Sequence, residues 1–448
     1  MKIVLTVHQF LPDHSSGTEI LTYLTAKELM HRGHEVIVVT GYHCGEDLPP
    51  EKRFDEYVHD GIRVLRFYHG YVPFAGQTVP NEMEYNSLFL GNWFEGVLKD
   101  WQPDIVHMFH LGLLSASTID ACDRANVPRV MTTTDFWLVC LANQLRLPDG
   151  SLCKGPNLNS LNCIRHIMES SQSEPLKKRL RAAPDWIMQL FLWAVKFNWL
   201  PERWYTKPAQ AVMRRQQFLG DRMNKLNRVL VPTRLMKSTL QRYGLEPERT
   251  VYLPYGLNLE HIQPTFNKGQ FEPLRVGYIG TLYEHKGPHL LVDAVKNHLP
   301  DVKLTLDIYG KLSDYPDYVA KLKDIAQDDS RIHFKGTFPN AEIGNVLAGL
   351  DVLIVPSIWY ENTPLVIYSA QAAACPVIGT NVGGIAEAIT HEENGLLFEL
   401  GNVAELAGAI RRLASDRTFL TSLSKAARRP TTIQQYVDAL EDIYAECV

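Results

Sequence analysis

The sequence has no uninterrupted apolar run of about 18 residues or more, so a membrane-spanning helix is not expected. Its first residues, MKIVLTV, reach His8 without the apolar segment and cleavage site of a secretory leader. Cysteine is scarce, seven in 448 residues, and an odd count does not suit a secreted disulfide framework. An excess of basic charge is missing as well. The 45 Lys and Arg against 50 Asp and Glu leave a net charge of -5, which argues against a general nucleic-acid partner. Short-period repeats and low-complexity tracts are also absent. These absences point to a cytoplasmic protein, with a peripheral place at the inner face of the plasma membrane left open. What is present is a chain with 45% hydrophobic and 21% charged residues, enough for well-packed cores. Its length implies two domains with insertions.

The expected class is α/β. Lys2 to Val7 is an apolar β-rich run, Thr18 to His31 reads as a helix stopped by Gly33, and His34 to Thr40 reads as a second buried strand. Further strands are predicted at Ile62–Phe67, Asp104–Met108 and Arg129–Thr133. Residues from about 140 to 225 break this rhythm as a helical insertion. The rhythm returns at Arg228–Val231, and a second alternating series begins at Leu274, with strands at Arg275–Ile279, Leu304–Tyr309, Arg331–Phe334, Val352–Val355 and Pro376–Gly379. Helices are expected between them near 288–297, 315–327, 340–349 and 364–374, and beyond them near 403–415. The predicted boundaries are 1–227 for the first domain, 228–428 for the second and 429–448 for a closing helix. In that helix Ile433, Tyr436, Val437, Leu440, Ile443 and Tyr444 form one apolar stripe. Ligands are expected beyond the C-terminal ends of the strands.

Three constellations in the second half follow strands. Tyr278-Ile279-Gly280-Thr281-Leu282-Tyr283-Glu284-His285-Lys286-Gly287 places a cation where a phosphate could rest, although a surface lysine on a plain turn fits equally. Pro356 to Leu365 places Glu361 before a helix expected to be capped by Thr363, with Pro364 at its first position. The free N–H groups and dipole there suit an anion, and Glu361 suits sugar hydroxyls; the plain alternative is helix stabilisation by the acid. Thr380-Asn381-Val382-Gly383-Gly384 then permits a close backbone approach to a ligand.

In this order the motifs resemble the family-four retaining glycosyltransferases of the GT-B fold, over nearly the whole chain. The resemblance includes Gly17-Thr18-Glu19 and Pro254-Tyr255-Gly256-Leu257-Asn258. It implies two Rossmann-like doubly wound domains facing across a cleft, the acceptor on the first and a nucleotide diphosphate-sugar on the second. It also implies that Lys286 contacts the diphosphate, Glu361 the donor sugar, and the amides of Asn362, Thr363, Pro364 and Leu365 the sugar and phosphate. Proline contributes no amide hydrogen to that set. The Asp-x-Asp metal signature of the other main glycosyltransferase fold is absent, which agrees with metal-independent, same-face transfer needing no catalytic cofactor. Two positions depart from the pattern. Thr281 stands where a basic residue is usual, and Ser369 replaces the second acid of Glu-x7-Glu, leaving a weaker, uncharged hydrogen bond for the ribose. A non-catalytic nucleotide-sugar-binding protein and a GT-B epimerase are the alternatives.

For the first half the resemblance places Gly17 near the donor phosphate, and puts Thr18, Glu19, His110 and Asp135 on the acceptor side. His110 is preferred over His107 as the histidine near the reacting sugar; either is open to a structural reading. Cys140, Cys153, Cys163 and His166 lie within 27 positions and suit a structural zinc, against the alternative of free buried cysteines. Lys177, Lys178, Arg179 and Arg181 precede Trp186, Trp193, Trp199 and Trp204. This pattern fits either an interfacial helix on anionic lipid or a helical subdomain over the first core.

Overall fold

Near-continuous apolar runs become parallel strands when helices cover both faces of a sheet, and the central strands here are buried along their length. The computed structural model describes residues 1–44, 48–70, 72, 74–171, 183–203 and 205–448. They form two units, Met1–Pro254 with Ile433–Val448, and Tyr255–Thr432.

The first unit carries strands β1 (Lys2–Val7), β2 (Glu35–His43), β3 (Phe54–His59), β4 (Ile62–His69), β5 (Ile105–Met108), β6 (Arg129–Thr132), β7 (Arg228–Val231) and β8 (Thr250–Tyr252). Their spatial order is β3-β4-β2-β1-β5-β6-β7-β8. All pairs are parallel except the β3–β4 edge hairpin. The second unit has β9 (Leu274–Ile279), β10 (Leu304–Tyr309), β11 (Ile332–Gly336), β12 (Val352–Val355), β13 (Val377–Thr380) and β14 (Gly395–Phe398), in the order β11-β10-β9-β12-β13-β14. Strand order reverses between β1 and β5 in one sheet and between β9 and β12 in the other. In doubly wound sheets such switch points open a crevice beyond the strand C-termini.

The sheet pairings move the expected boundary. β7 lies beside β6 and β8 beside β7, so the first unit runs to Pro254 and not to residue 227, and the second ends at Thr432 and not at 428. The strand after the insertion returns to the old sheet, which a one-dimensional rhythm does not distinguish from a new start. Strands β3, β8 and β14 were not expected. β3 is an edge strand whose residues are largely exposed, and β8 and β14 are three and four residues long.

The insertion contains helices Leu161–Ser171, Asp185–Lys196 and Thr206–Met223, which meet in a small core of Leu161, Ile164, Met188, Leu192 and Val212. Lys177, Lys178, Arg179, Arg181 and Trp204 lie outside the described residues. The closing helix, Ile433–Cys447, belongs to the first unit and buries the whole stripe expected of it. Arg32 bonds Asp438 and Glu441 at 2.6 Å each, and the hydroxyls of Tyr444 and Tyr436 meet His107 Nδ1 at 2.5 Å and Thr132 Oγ1 at 2.9 Å.

Candidate functional site

Each switch point carries a cluster of polar side chains. In the first unit, His8 follows β1, His110 follows β5 and Asp135 follows β6, so adjacent parallel strands deliver all three to one edge. Asp135 Oδ2 lies 2.8 Å from His110 Nε2, and its Oδ1 accepts from the Trp137 amide at 2.8 Å, which ties the loop to its own backbone. The Gly112 amide donates to His110 Nδ1 at 2.9 Å, so that nitrogen is the acceptor and Nε2–H faces the carboxylate. Burial by itself lowers the His110 pKa, but the charge and hydrogen bond of Asp135, with Glu19 and Glu84 further off, pull it above the ordinary value.

His8 was not foreseen. Its ring centroid lies 4.2 Å from that of His110, and its Nε2 lies 3.3 Å from Glu19 Oε1. Glu19 is fully buried, and neither carboxylate oxygen has a partner of hydrogen-bonding geometry, so the 3.3 Å approach is close without being aligned. Burial pushes the Glu19 carboxyl up and the His8 imidazole well down, which favours the neutral form of each. Glu19, expected on the acceptor side, is fully buried beside His8; the cluster's open members are His8 and Asp135, 27% and 28% exposed. Gly17 is exposed at the start of helix Gly17–His31, and Thr18 is half-buried, its carbonyl accepting from Thr22 Oγ1 at 2.9 Å. His107 turns the other way, between Thr132 and Tyr444, and burial takes its pKa down to about 3.

In the second unit, the loops after β9 and β12 bring Lys286 Nζ to 2.7 Å from Glu361 Oε1. Ser357 Oγ and Trp359 Nε1 each donate to the same oxygen at 2.8 Å, and the ammonium lies 5.0 Å from the Trp359 ring centroid. Burial favours protonation of Glu361, but the Lys286 charge and the three donors outweigh it and hold the carboxyl below its ordinary range. All three donors meet Oε1, so Oε2 receives none of them. Ser357 and Trp359 fall within the Pro356–Leu365 motif without an expected part; their proximity in sequence to Glu361 is the available signal.

The next helix starts at Leu365, with Pro364 at the capping position, so Thr363 does not cap it. Thr363 Oγ1 is buried without a partner, as is Thr380 Oγ1 after β13. Asn362 Nδ2 donates to the Tyr255 hydroxyl at 3.0 Å. Gly280 is half-buried and Thr281 exposed, its carbonyl accepting from the Tyr278 hydroxyl at 2.8 Å.

The paired glycines also have a different use from the one expected. A Cβ on Gly384 would lie 1.7 Å from the Asn362 carbonyl oxygen, and one on Gly383 would lie 2.8 Å from that of Glu361. The Gly384 amide donates to the Glu361 carbonyl at 2.7 Å. Their close approach is to the acid's own loop, which they clamp in place.

A family model described as a glycosyl transferase 4-like domain matches residues 16–256, and one described as glycosyl transferases group 1 matches 273–416. The chain belongs to the glycosyl transferase 4-like family. Its fold is that of the GT-B glycosyltransferases, two Rossmann-like domains built on parallel sheets. The D-inositol 3-phosphate glycosyltransferase of Pseudarthrobacter chlorophenolicus is 31% identical over 202 residues, 42% of this chain and 47% of that one. The UDP-Gal:alpha-D-GlcNAc-diphosphoundecaprenol alpha-1,3-galactosyltransferase of Escherichia coli is 27% identical over 224 residues, 46% of this chain and 56% of that one. The chain thus spans about half the length of the curated relatives it matches. The solved structure of Anabaena HepE in complex with UDP shares the fold over 100% of both chains, with a TM-score of 0.65 at 16% identity.

Against the family pattern, Ser369 is buried in the helix Leu365–Ala372, and its hydroxyl donates to the Leu365 carbonyl at 3.2 Å. The zinc expectation is corrected: among the described residues no three His, Cys, Asp or Glu side chains converge as a ligand set, so Cys140, Cys153, Cys163 and His166 do not form one. Cys153 Sγ instead accepts from the Gly155 amide at 3.3 Å and from Asn162 Nδ2 at 3.4 Å. Cys140 and Cys153 are buried and Cys163 half-buried, as free thiols in a small hydrophobic setting.

Proposed function

We propose that this protein is a retaining glycosyltransferase that moves a sugar from a nucleoside diphosphate onto a hydroxyl of a glycan or lipid-linked acceptor. The observation that carries this reading is the Lys286–Glu361 pair at the β9/β12 switch point, with Glu361 Oε2 left by all three donors. Lys286 takes the diphosphate, assisted by the N-terminal amides of the helix at Leu365. Glu361 accepts hydrogen bonds from sugar hydroxyls. Thr363 and Thr380, whose hydroxyls lack partners, add neutral donors, and the loop at Gly280 and Thr281 lies against the phosphates. Positive charge comes from Lys286 and the helix end, so the reading requires no metal and no catalytic cofactor.

The first unit takes the acceptor and, through Gly17 and His110, the reacting end of the donor. The C1–O bond to phosphate breaks as the C1–O bond to the acceptor forms on the same face of the sugar. The acceptor proton passes to the leaving diphosphate, so no protein nucleophile is needed. The names of the relatives support this reading: one acts on an inositol phosphate, another on a diphosphoundecaprenol-linked sugar, and HepE is in complex with UDP. No helix among the described residues is long and apolar enough to cross a membrane. A peripheral place at the cytoplasmic membrane face fits a lipid-linked acceptor. The test is turnover of a panel of uridine, guanosine and adenosine diphosphate sugars, with the product anomer read by NMR. Donor consumption with retained configuration is expected. Tight binding without turnover would favour a non-catalytic nucleotide-sugar-binding protein, which the occupied Ser369 hydroxyl keeps in view; a changed free nucleotide-sugar would favour an epimerase.

A further inference from the structure

The helix Asp185–Lys196 has two apolar faces, and the described residues cover one of them. At about 100° per residue, Met188, Leu192 and Val195 fall on one side, where all three are buried and Met188 and Leu192 join Leu161, Ile164 and Val212 in one core. Trp186, Leu190, Trp193 and Phe197, at offsets of 0, 4, 7 and 11, form a second stripe on the opposite side. Trp186 is 65% exposed and Leu190 62%, and Trp199 beyond the helix is 76% exposed. The rings of Trp193, Phe197 and Trp199 form a continuous row, with centroids 5.3 and 5.8 Å apart. A contiguous apolar surface of this kind marks a place of contact.

Charge selects the partner. Between residues 177 and 207 the sequence carries seven Lys and Arg against two acids, Asp185 and Glu202, whereas the whole chain has a net charge of -5. A basic, tryptophan-rich segment matches an anionic bilayer surface, where indoles sit at headgroup depth and cations meet lipid phosphates. Lys196 Nζ lies over the Trp193 ring, 5.8 Å from its centroid, so a cation accompanies the aromatic row. A second copy of the chain is the poorer match, because a twofold contact would set two such basic segments against each other.

We propose that the stripe Trp186–Leu190–Trp193–Phe197, with Trp199, is the surface by which this protein docks on an anionic lipid bilayer. This rests on the proposed function only for its purpose, which is to hold the enzyme where a lipid-linked acceptor lies. The test is flotation of the full chain with vesicles of phosphatidylcholine alone or mixed with phosphatidylglycerol. The protein should float with the mixed vesicles, less so at high salt, and its tryptophan emission should shift to shorter wavelength. The triple variant Trp186→Ser, Leu190→Ser, Trp193→Ser should keep its circular dichroism, its thermal midpoint and its turnover of a soluble acceptor. Its floating fraction should fall by about tenfold. Parent protein left in the soluble fraction with phosphatidylglycerol, or a variant that floats as well as the parent, would overturn the proposal. So would sedimentation showing a self-associated parent that the variant dissociates, without vesicle binding. Flotation by a parent that turns over no donor would instead remove the transferase reading and leave the docking surface standing.

Discussion

The two units solve one topological problem with different chemistry. Both are parallel sheets with a switch point, and both bring polar side chains from adjacent strand ends to one edge. The first unit does so with imidazoles and a carboxyl, His8, His110 and Asp135, set beside the buried carboxyl of Glu19 in the following helix. The second uses a charged pair, Lys286 and Glu361, held by glycines that admit no side chain. The first arrangement responds to protons and the second to volume.

Volume at the second site gives the largest expected effect. Gly384→Ala forces a Cβ against the Asn362 carbonyl, and overpacking of this kind costs about 1–3 kcal/mol or more. Nucleotide binding by calorimetry should disappear while the first unit retains its structure; binding near the parental level would break the account of the clamp. Glu361→Gln keeps the shape and removes the charge, and turnover should fall about 100- to 1000-fold, as for loss of one transition-state hydrogen-bond partner. A fall of less than threefold would move the sugar contact elsewhere.

Protons sharpen the contrast from the other side. The folded-state pKa of His107 is about 3, below the ordinary value, so the unfolded chain binds more protons between about pH 3 and pH 6.5. Its contribution to stability is complete above about pH 6.5 and is lost as pH falls. About 2 kcal/mol should go between pH 6.5 and 5. His69, brought down to about 4 by burial, and His8 add to the same slope. All three histidines lie in the first unit, so hydrogen exchange on acidification should reveal that unit opening first. His107→Gln should flatten the thermal-midpoint slope, and an unchanged slope would assign the acid response to other groups.

Smaller effects follow at single contacts. Asp135→Asn removes the charge that raises the His110 pKa, and should lower kcat by about tenfold with KM for the donor nearly unchanged. A KM effect alone would make Asp135 a binding residue only. Ser369→Glu restores the family acid and should tighten nucleotide binding by about threefold to tenfold, the net worth of one ordinary hydrogen bond. An unchanged or weaker dissociation constant would show that the Ser369 position faces away from the ribose.

Much of the architecture was legible because strand and helix periods are local. Val352–Val355, Leu304–Tyr309 and Arg228–Val231 begin and end where their apolar runs do. Lys286 and Glu361 stood out because each follows a strand and precedes a helix. His8 did not, although it too follows a strand, since its meaning depends on His110, which lies 102 positions away in the sequence. The zinc expectation failed for the converse reason: proximity in sequence among Cys140, Cys153, Cys163 and His166 did not become a group arranged to hold a metal ion.

The sequence by itself determined the α/β class, the positions of most strands, the apolar stripe of the closing helix and the placing of Lys286 and Glu361 just beyond strand ends. These follow from patterns only a few residues long. The tertiary structure alone decided that Arg228–Val231 and Thr250–Tyr252 belong to the first sheet, that Glu19 is buried beside His8, and that Gly383 and Gly384 clamp the loop of Glu361. Each of these depends on pairing or close contact between segments far apart in the chain, and no local pattern encodes which distant backbone will fill the space a glycine leaves open.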